Sequence, residues 1–240
     1  MKALILAAGL GERLKYNKPK ILIKVGNKTL LERHYENLLK YGVKKIGIVI
    51  GYKNTELKKF IKKIDKHKII KIFVNKRYKL GSIVSLVKAH SFFKEKNEII
   101  LMDGDVLYDK KILKKLIFSR KKNCLLIDKN YEIGEEPVKV CIKNKKICDF
   151  GKKTTKKFDY CGESIGFFKF SYLDSLKFIS EAKKIMKKDK NEMYEETIRK
   201  IITNKMFKIE FENILKLLWT EIDFKKDLIF AKKIINKINE

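Results

Sequence analysis

Two glycines at the end of an apolar run, with a guanidinium close behind, make the first arrangement in this chain that could do chemistry. They stand in Gly9-Leu10-Gly11-Glu12-Arg13, soon after the run Lys2–Ala7. Glycines in that place let the backbone approach a phosphate, and their N–H groups can cradle it. Arg13 adds a planar fork of donors, and Lys20, directly after Pro19, adds a point charge. The spacing is neither G-x-x-x-x-G-K-[ST] nor G-x-G-x-x-G, so the P-loop and dinucleotide fingerprints are excluded. A second cluster, Asp103-Gly104-Asp105, follows the apolar run Ile99–Met102. Carboxylates at the C-terminal ends of strands in an open α/β sheet meet bound ligands, and Mg²⁺ prefers one or two carboxylates plus substrate phosphates. Asp103 is expected to point to the same side of an extended chain as Asp105, supporting a metal shell or a ribose hydroxyl.

The elements that must position these groups follow from the apolar pattern. Lys2–Ala7, Lys45–Ile50, Ile69–Val74, Ile99–Met102 and Cys124–Ile127 read as buried strands. Amphipathic helices lie between them. Thr29-x-x-Glu32 is a capping box opening a helix that Gly42 closes. A helical stripe follows Asn54, and further helices are expected over 82–93 and 109–118. Strands joined by such helices imply a mostly parallel sheet with right-handed crossovers. The second half changes character, with an alternating strand Val138–Ile142, a turn at Lys145-Lys146 and a return over 147–150. Strands Ile165–Phe170 and Phe207–Phe211 follow, with helices near 172–187, 192–202 and 225–238. The reading is one domain over 1–240, a nucleotide-binding half to about 130 and an acceptor half from about 131 inserted into the same sheet.

Composition limits the alternatives. The chain has 240 residues, 45% of them apolar, enough for a substantial core. No stretch nears the roughly 18 apolar residues of a membrane span. The start is too short and glycine-broken for a secretion signal, with Glu12, Arg13 and Lys15 following at once, so a cytoplasmic location is expected. Cys124, Cys141, Cys148 and Cys161 match no paired zinc spacing and are expected to be reduced thiols. His34, His67 and His90 join no nucleophilic triad. The net charge of +29 suggests a polyanion partner. However, only five of the 58 basic residues are arginine, and the lysines are spread along the chain among acids. That distribution favours a lysine-coated surface over a nucleic-acid reader.

The run Leu6-Ala7-Ala8-Gly9-x-Gly11-x-Arg13, followed by Lys18-Pro19-Lys20, resembles the nucleoside-triphosphate transferase family that makes nucleotide sugars and CDP-alcohols. Val49-Ile50-Gly51-Tyr52, Gly81-Ser82-Ile-Val-Ser85-Leu86, Asp103-Gly104-Asp105-Val106 and Glu221-Ile222-Asp223 extend the resemblance over nearly the whole chain. It implies an α/β fold, a three-layer Rossmann-like sandwich on a mostly parallel mixed sheet of the nucleotide-diphospho-sugar transferase type. It also implies Mg²⁺ on Asp105 and Asp223, and a nucleotide held by Leu6, Ala7, Ala8, Gly9, Gly11, Gly81, Ser82 and Asp103. Arg13 and Lys20 become the catalytic cations. Gly162-Glu163-Ser164-Ile165-Gly166 and Trp219-Thr-Glu221-Ile-Asp223 resemble the small-alcohol cytidylyltransferase branch, whose members act on phosphocholine, aminoethylphosphonate, inositol 1-phosphate or phosphoglutamine.

The expected reaction is therefore transfer of CMP from CTP to a small phosphorylated or phosphonate acceptor, releasing pyrophosphate. The CDP-linked product would serve surface glycan or lipid decoration. Tyr160, Glu163, Tyr194, Glu195, Trp219 and Glu221 are the candidate acceptor contacts. Trp219 is the only tryptophan, so a quaternary-ammonium cage is disfavoured and primary-amine acceptors are expected ahead of phosphocholine. No nucleic acid or membrane partner is expected, and a homodimer is the one assembly entertained. The rival readings are a sugar-1-phosphate transferase using UTP, GTP or dTTP and, from another class, a basic nucleic-acid-binding protein.

Overall fold

Alternate side chains of Lys2–Ala7 leave the strand on opposite faces, and here both faces are covered. Ala3 and Ile5 join one apolar core and Leu4 the other. The computed structural model describes residues 1–14, 16–130 and 137–238. Lys15 and the segment 131–136, where the expected boundary between the halves falls, lie outside the described residues.

In chain order the strands of the first half are β1 (Lys2–Ala7), β2 (Lys24–Val25), β3 (Lys28–Thr29), β4 (Ile46–Ile50), β5 (Ile70–Val74), β6 (Ile99–Asp103), β7 (Val106–Tyr108) and β8 (Cys124–Asp128). Its helices are α1 (Leu30–Lys40), α2 (Asn54–Ile64), α3 (Ser82–Lys88), α4 (His90–Phe93) and α5 (Lys110–Ile117). The second half holds β9 (Lys139–Lys143), β10 (Lys146–Gly151), β11 (Tyr160–Phe170), α6 (Tyr172–Lys188), α7 (Glu195–Thr203), β12 (Glu210–Asn213), β13 (Trp219–Glu221) and α8 (Lys225–Ile234). Most first-half elements fall within a residue or two of expectation. The capping box is present: the Thr29 hydroxyl accepts from the Glu32 N–H, and the Glu32 carboxylate accepts from the Thr29 N–H.

The main sheet runs β10-β9-β11-β6-β1-β4-β5. Strands β6, β1, β4 and β5 are mutually parallel, and β11 enters antiparallel beside β6. Helices α1, α2, α5 and α8 pack on one face and α3, α4, α6 and α7 on the other, giving three layers. This is the mixed α/β architecture the resemblance implied. No helix among the described residues is long and apolar enough to cross a membrane.

Four departures matter. The helix expected over 82–93 breaks at Ala89 into two pieces, and both Phe92 and Phe93 are buried beyond the break. Strand β11 begins at Tyr160 rather than Ile165, because its polar start pairs with β9 while its apolar end pairs with β6 and β8. The strand expected over 207–211 sits at Glu210–Asn213, where parallel pairing with β8 outweighs the apolar signal of Met206 and Phe207. The chain is not extended from Asp103 to Asp105. It turns at Gly104-Asp105 before a two-stranded ribbon of β7 with β13 that no periodicity announced.

A bulge in β11 makes room for the site. Its pairing with β8 shifts register between Ser164 and Phe168, and Gly166 adopts φ +75. A side chain there would collide with the Asp103 carboxylate. Gly166→Ala should therefore cost about 1–3 kcal/mol through backbone strain and crowding. Gly9→Ala, in open space, should stay within about 0.5 kcal/mol of the parent. Urea unfolding of the two variants makes the comparison, and equal stabilities would show the bulge tolerates a side chain.

Candidate active site

Parallel β1 and β6 end side by side, with Leu6 in register with Asp103. Beyond β1 the chain enters the glycine loop; beyond β6 it turns, and the Gly104 N–H donates to the Leu6 carbonyl at 3.0 Å. The two motifs of unlike chemistry, glycine loop and carboxylates, thus share one edge. A cleft lined by Leu6, Ala7, Gly9, Gly11, Lys20 and Asp105 lies between them. An adjoining open cleft of about 470 Å³ is bounded by Leu10, Gly11, Glu12, Arg13, Lys20, Tyr78 and Lys79. The Ala8 carbonyl lies at the back of the loop and accepts from the Tyr52 N–H.

The β7–β13 ribbon brings the C-terminal acids to this edge. Glu221 pairs with Val106, and the Ile222 N–H donates to the Asp105 carbonyl. Carboxylate oxygens of Asp105, Glu221 and Asp223 consequently lie within 4.8 Å of one another. Three hard oxygen donors at that spacing fit a small divalent cation. A cationic stand-in supports the fit. Lys20 Nζ donates to Asp105 Oδ2 at 2.9 Å and also to Asp223 Oδ1. Burial works against the Lys20 ammonium, but Asp105 and Asp223 outweigh it and hold it charged. Arg13 Nη2 reaches the other Asp223 oxygen at 3.1 Å, and its guanidinium lies over the Phe224 ring.

The candidate acceptor residues divide between two places. Tyr194 and Glu195, at the start of α7, face the carboxylate cluster, and Glu221 is part of it. The Tyr194 hydroxyl donates to Asp103 Oδ2 at 2.7 Å, which makes Asp103 a half-buried anchor for α7 beside the metal-type trio. Burial, then Glu195 and Asp105, raise the Asp103 carboxyl well above the usual range. Burial pushes Glu195 up to about 7, with Asp105 adding to the effect, and its Oε2 is sealed from solvent without a hydrogen-bond partner. Tyr160, Glu163 and Trp219 gather instead around the end of β8. The Lys129 ammonium lies over the Tyr160 ring, Glu163 is in register with Asp128, and Trp219 Nε1 donates to Asp128 Oδ2 at 2.8 Å.

Gly81 and Ser82 are tied to the acceptor side. The Gly81 N–H donates to the Lys190 carbonyl, the Ile83 N–H to that of Glu192, and Ser82 Oγ accepts from the Tyr194 N–H.

Sequence reasoning passed over His34. Its Nε2 lies 3.2 Å from the Gly104 carbonyl and its Nδ1 3.4 Å from the Tyr108 hydroxyl. A carbonyl only accepts, so Nε2 carries the proton and Nδ1 accepts from Tyr108. The neutral ring thereby pins the turn that presents Asp105. Its single sequence signal was a polar ring on an apolar helical face. Tyr78 and Lys79, on the cleft wall, stood outside every motif.

The comparisons with known proteins bear on the family and the fold. Residues 3–147 match the sequence profile of the MobA-like NTP transferase domain. The CTP:phosphoglutamine cytidylyltransferase of Campylobacter jejuni is 28% identical over a 260-residue alignment covering 95% of this chain and 98% of that protein. Two solved structures share the fold. The inositol-1-phosphate CTP transferase from T. maritima superposes with a TM-score of 0.81 at 23% identity, over 99% of this chain and 95% of its own. For the CTP:phosphocholine cytidylyltransferase from Streptococcus pneumoniae the TM-score is 0.75 at 19% identity, over 98% of each chain.

The buried His34 gives the site an acid limit. Burial lowers its pKa from 6.5 to about 4, the Gly104 hydrogen bond offsetting part of that fall. Between those values the unfolded chain binds a proton that the native ring refuses, so stability present above pH 6.5 is lost as the pH falls toward 4. The loss from this one group should approach about 3 kcal/mol. Unfolding free energies of the parent and His34→Gln, measured from pH 7 to 4, should converge by that amount. Parallel profiles would remove His34 from the acid response.

Proposed function

The chain belongs to the MobA-like NTP transferase domain family, and from that premise we propose that it transfers CMP from CTP to a small acceptor carrying both a phosphate or phosphonate and an amine. The observation that carries this reading is the charge balance at the strand ends. Asp105, Glu221 and Asp223 converge beside the glycine loop with, among the described residues, only Arg13 and Lys20 paired to them, and burial with mutual repulsion holds the carboxyls of Glu221, Asp103 and Glu195 above their ordinary range. A nucleotide alone would add negative charge to this pocket. A divalent cation and an ammonium group would supply the missing positive charge, one from the nucleotide side and one from the acceptor.

The residues divide the work accordingly. Backbone N–H groups of Gly9 and Gly11 cradle the triphosphate, and Arg13 and Lys20 neutralise charge developing on the departing pyrophosphate. Asp105, Glu221 and Asp223 would hold Mg²⁺, which when bound supplies Lewis-acid polarisation of the phosphate oxygens. The acceptor oxyanion is ionised at neutral pH, so the chain needs no general base and works by positioning and charge neutralisation. Glu195, at the start of α7 and close enough to Asp105 to feel its charge, is the carboxylate this reading assigns to an ammonium group of the acceptor. The cytidylyltransferases named above lend weight to CTP as donor, and a CDP-linked product suits surface glycan or lipid decoration.

A pyrophosphate-release screen tests the proposal. CTP should exceed UTP, GTP and dTTP, and primary-amine acceptors such as phosphoglutamine or aminoethylphosphonate should exceed phosphocholine and hexose 1-phosphates in kcat/KM. Asp105→Asn or Asp223→Asn should lower turnover by at least about 10²-fold while the fold persists. Glu195→Gln should cost amine acceptors about tenfold or more and spare those without an amine. A hexose 1-phosphate winning by tenfold would sink the amine reading in favour of a sugar-nucleotide enzyme.

A further inference from the structure

Lys20 stands where a metal ion would have to stand. Its ammonium bridges Asp105 and Asp223, two of the three carboxylates whose oxygens lie within 4.8 Å of one another. A divalent cation coordinated by those oxygens, at roughly 2.0–2.6 Å, would occupy the same small volume. Two cations cannot share it, because their repulsion at such separations is severe in a partly buried pocket. One must leave for the other to enter.

Lys20 also lines the open cleft beside the carboxylates, together with Gly11 and Arg13. Its stem crosses the glycine loop, and a Cβ at Gly11 would lie 2.8 Å from Lys20 Cγ. Gly11 has φ +66, a conformation that itself favours glycine. The four-carbon stem thus lies against the glycine loop, between the cleft that holds Asp105 and the open cleft bounded by Gly11 and Arg13, where the reading above puts the triphosphate. A short rotation carries the ammonium from one set of anionic oxygens to another. Arg13, paired with the second oxygen of Asp223, need not move for this exchange.

We infer that the Lys20 ammonium and a divalent cation compete for one seat between Asp105 and Asp223, and that the nucleotide's phosphates decide the competition. Resting on the nucleotide and metal assignment above, this adds an order of events. Free metal meets a seat already neutralised by lysine, whereas metal arriving with a triphosphate meets carboxylates that Lys20 has released for the phosphates. The enzyme then takes up the metal–nucleotide complex as a unit and binds little metal by itself.

The test reads metal binding without turnover. Mn²⁺ is titrated into the full chain and free Mn²⁺ is followed by electron paramagnetic resonance, with and without CTP and with no acceptor present. Lys20→Gln should bind free Mn²⁺ at least about tenfold more tightly than the parent, whereas Lys20→Arg, which keeps the charge, should bind it as weakly as the parent. CTP should tighten Mn²⁺ binding more in the parent than in Lys20→Gln. Circular dichroism checks folding, and Lys20→Met, which keeps the stem length, replaces the glutamine variant if that one unfolds. Equal or weaker binding of free Mn²⁺ by the charge-removed variant overturns the shared seat. If neither protein binds Mn²⁺ even with CTP, the metal assignment falls as well, so the two failures are distinct.

Discussion

The Lys20 ion pairs with Asp105 and Asp223 span 85 and 203 residues of sequence. They can form only if the first strand, the central strand and the C-terminal ribbon end at one place. Gathering carboxylates in a partly buried pocket is unfavourable unless positive charge arrives with them. Much of the architecture can be understood as the solution to that constraint. The parallel pairing of β1 with β6 places loop and turn side by side, and the β7–β13 ribbon delivers the remaining acids.

Around this point the supporting contacts lie outside the ion pairs. His34 holds the Gly104 carbonyl, Tyr194 holds Asp103, and the β11 bulge at Gly166 clears space for that aspartate. Each fixes backbone or carboxylate geometry from a different element. The site is therefore carried by rigid strand ends and a helix face, the arrangement that keeps charged groups in position while ligands exchange.

The first half of the fold was legible because its signals are local. Lys2–Ala7 reads as a strand from its own residues, and Thr29 with Glu32 declares a helix start within four positions. The site motifs were legible for the same reason, since the glycine loop and Asp103-Gly104-Asp105 are contiguous. What escaped was long-range. Three-residue strands such as β7 and β13 have no period to read, and each exists only because the other pairs with it. The polar start of β11 looked like loop until β9 supplied its partner. Lys20 was legible as a cation near phosphates, but nothing local showed that it would be shared with aspartates far along the chain. His34 sat among apolar helical neighbours, and its target, a backbone carbonyl, has no sequence signature at all.

The hydrogen bonds that join Gly81, Ser82 and Ile83 to the segment Lys190–Tyr194 have a consequence for how such an enzyme can diversify. They lock the stretch preceding α3 to the stretch preceding α7, so the wall expected to receive the base and the wall expected to receive the acceptor move as one piece. On the 190–194 side all three bonds use backbone atoms, which any side chains there leave in place, whereas position 81 is constrained: a Cβ on Gly81 would collide with the Glu192 carbonyl oxygen. Side chains over 190–193 can therefore change on a backbone seat that the glycine at 81 keeps open.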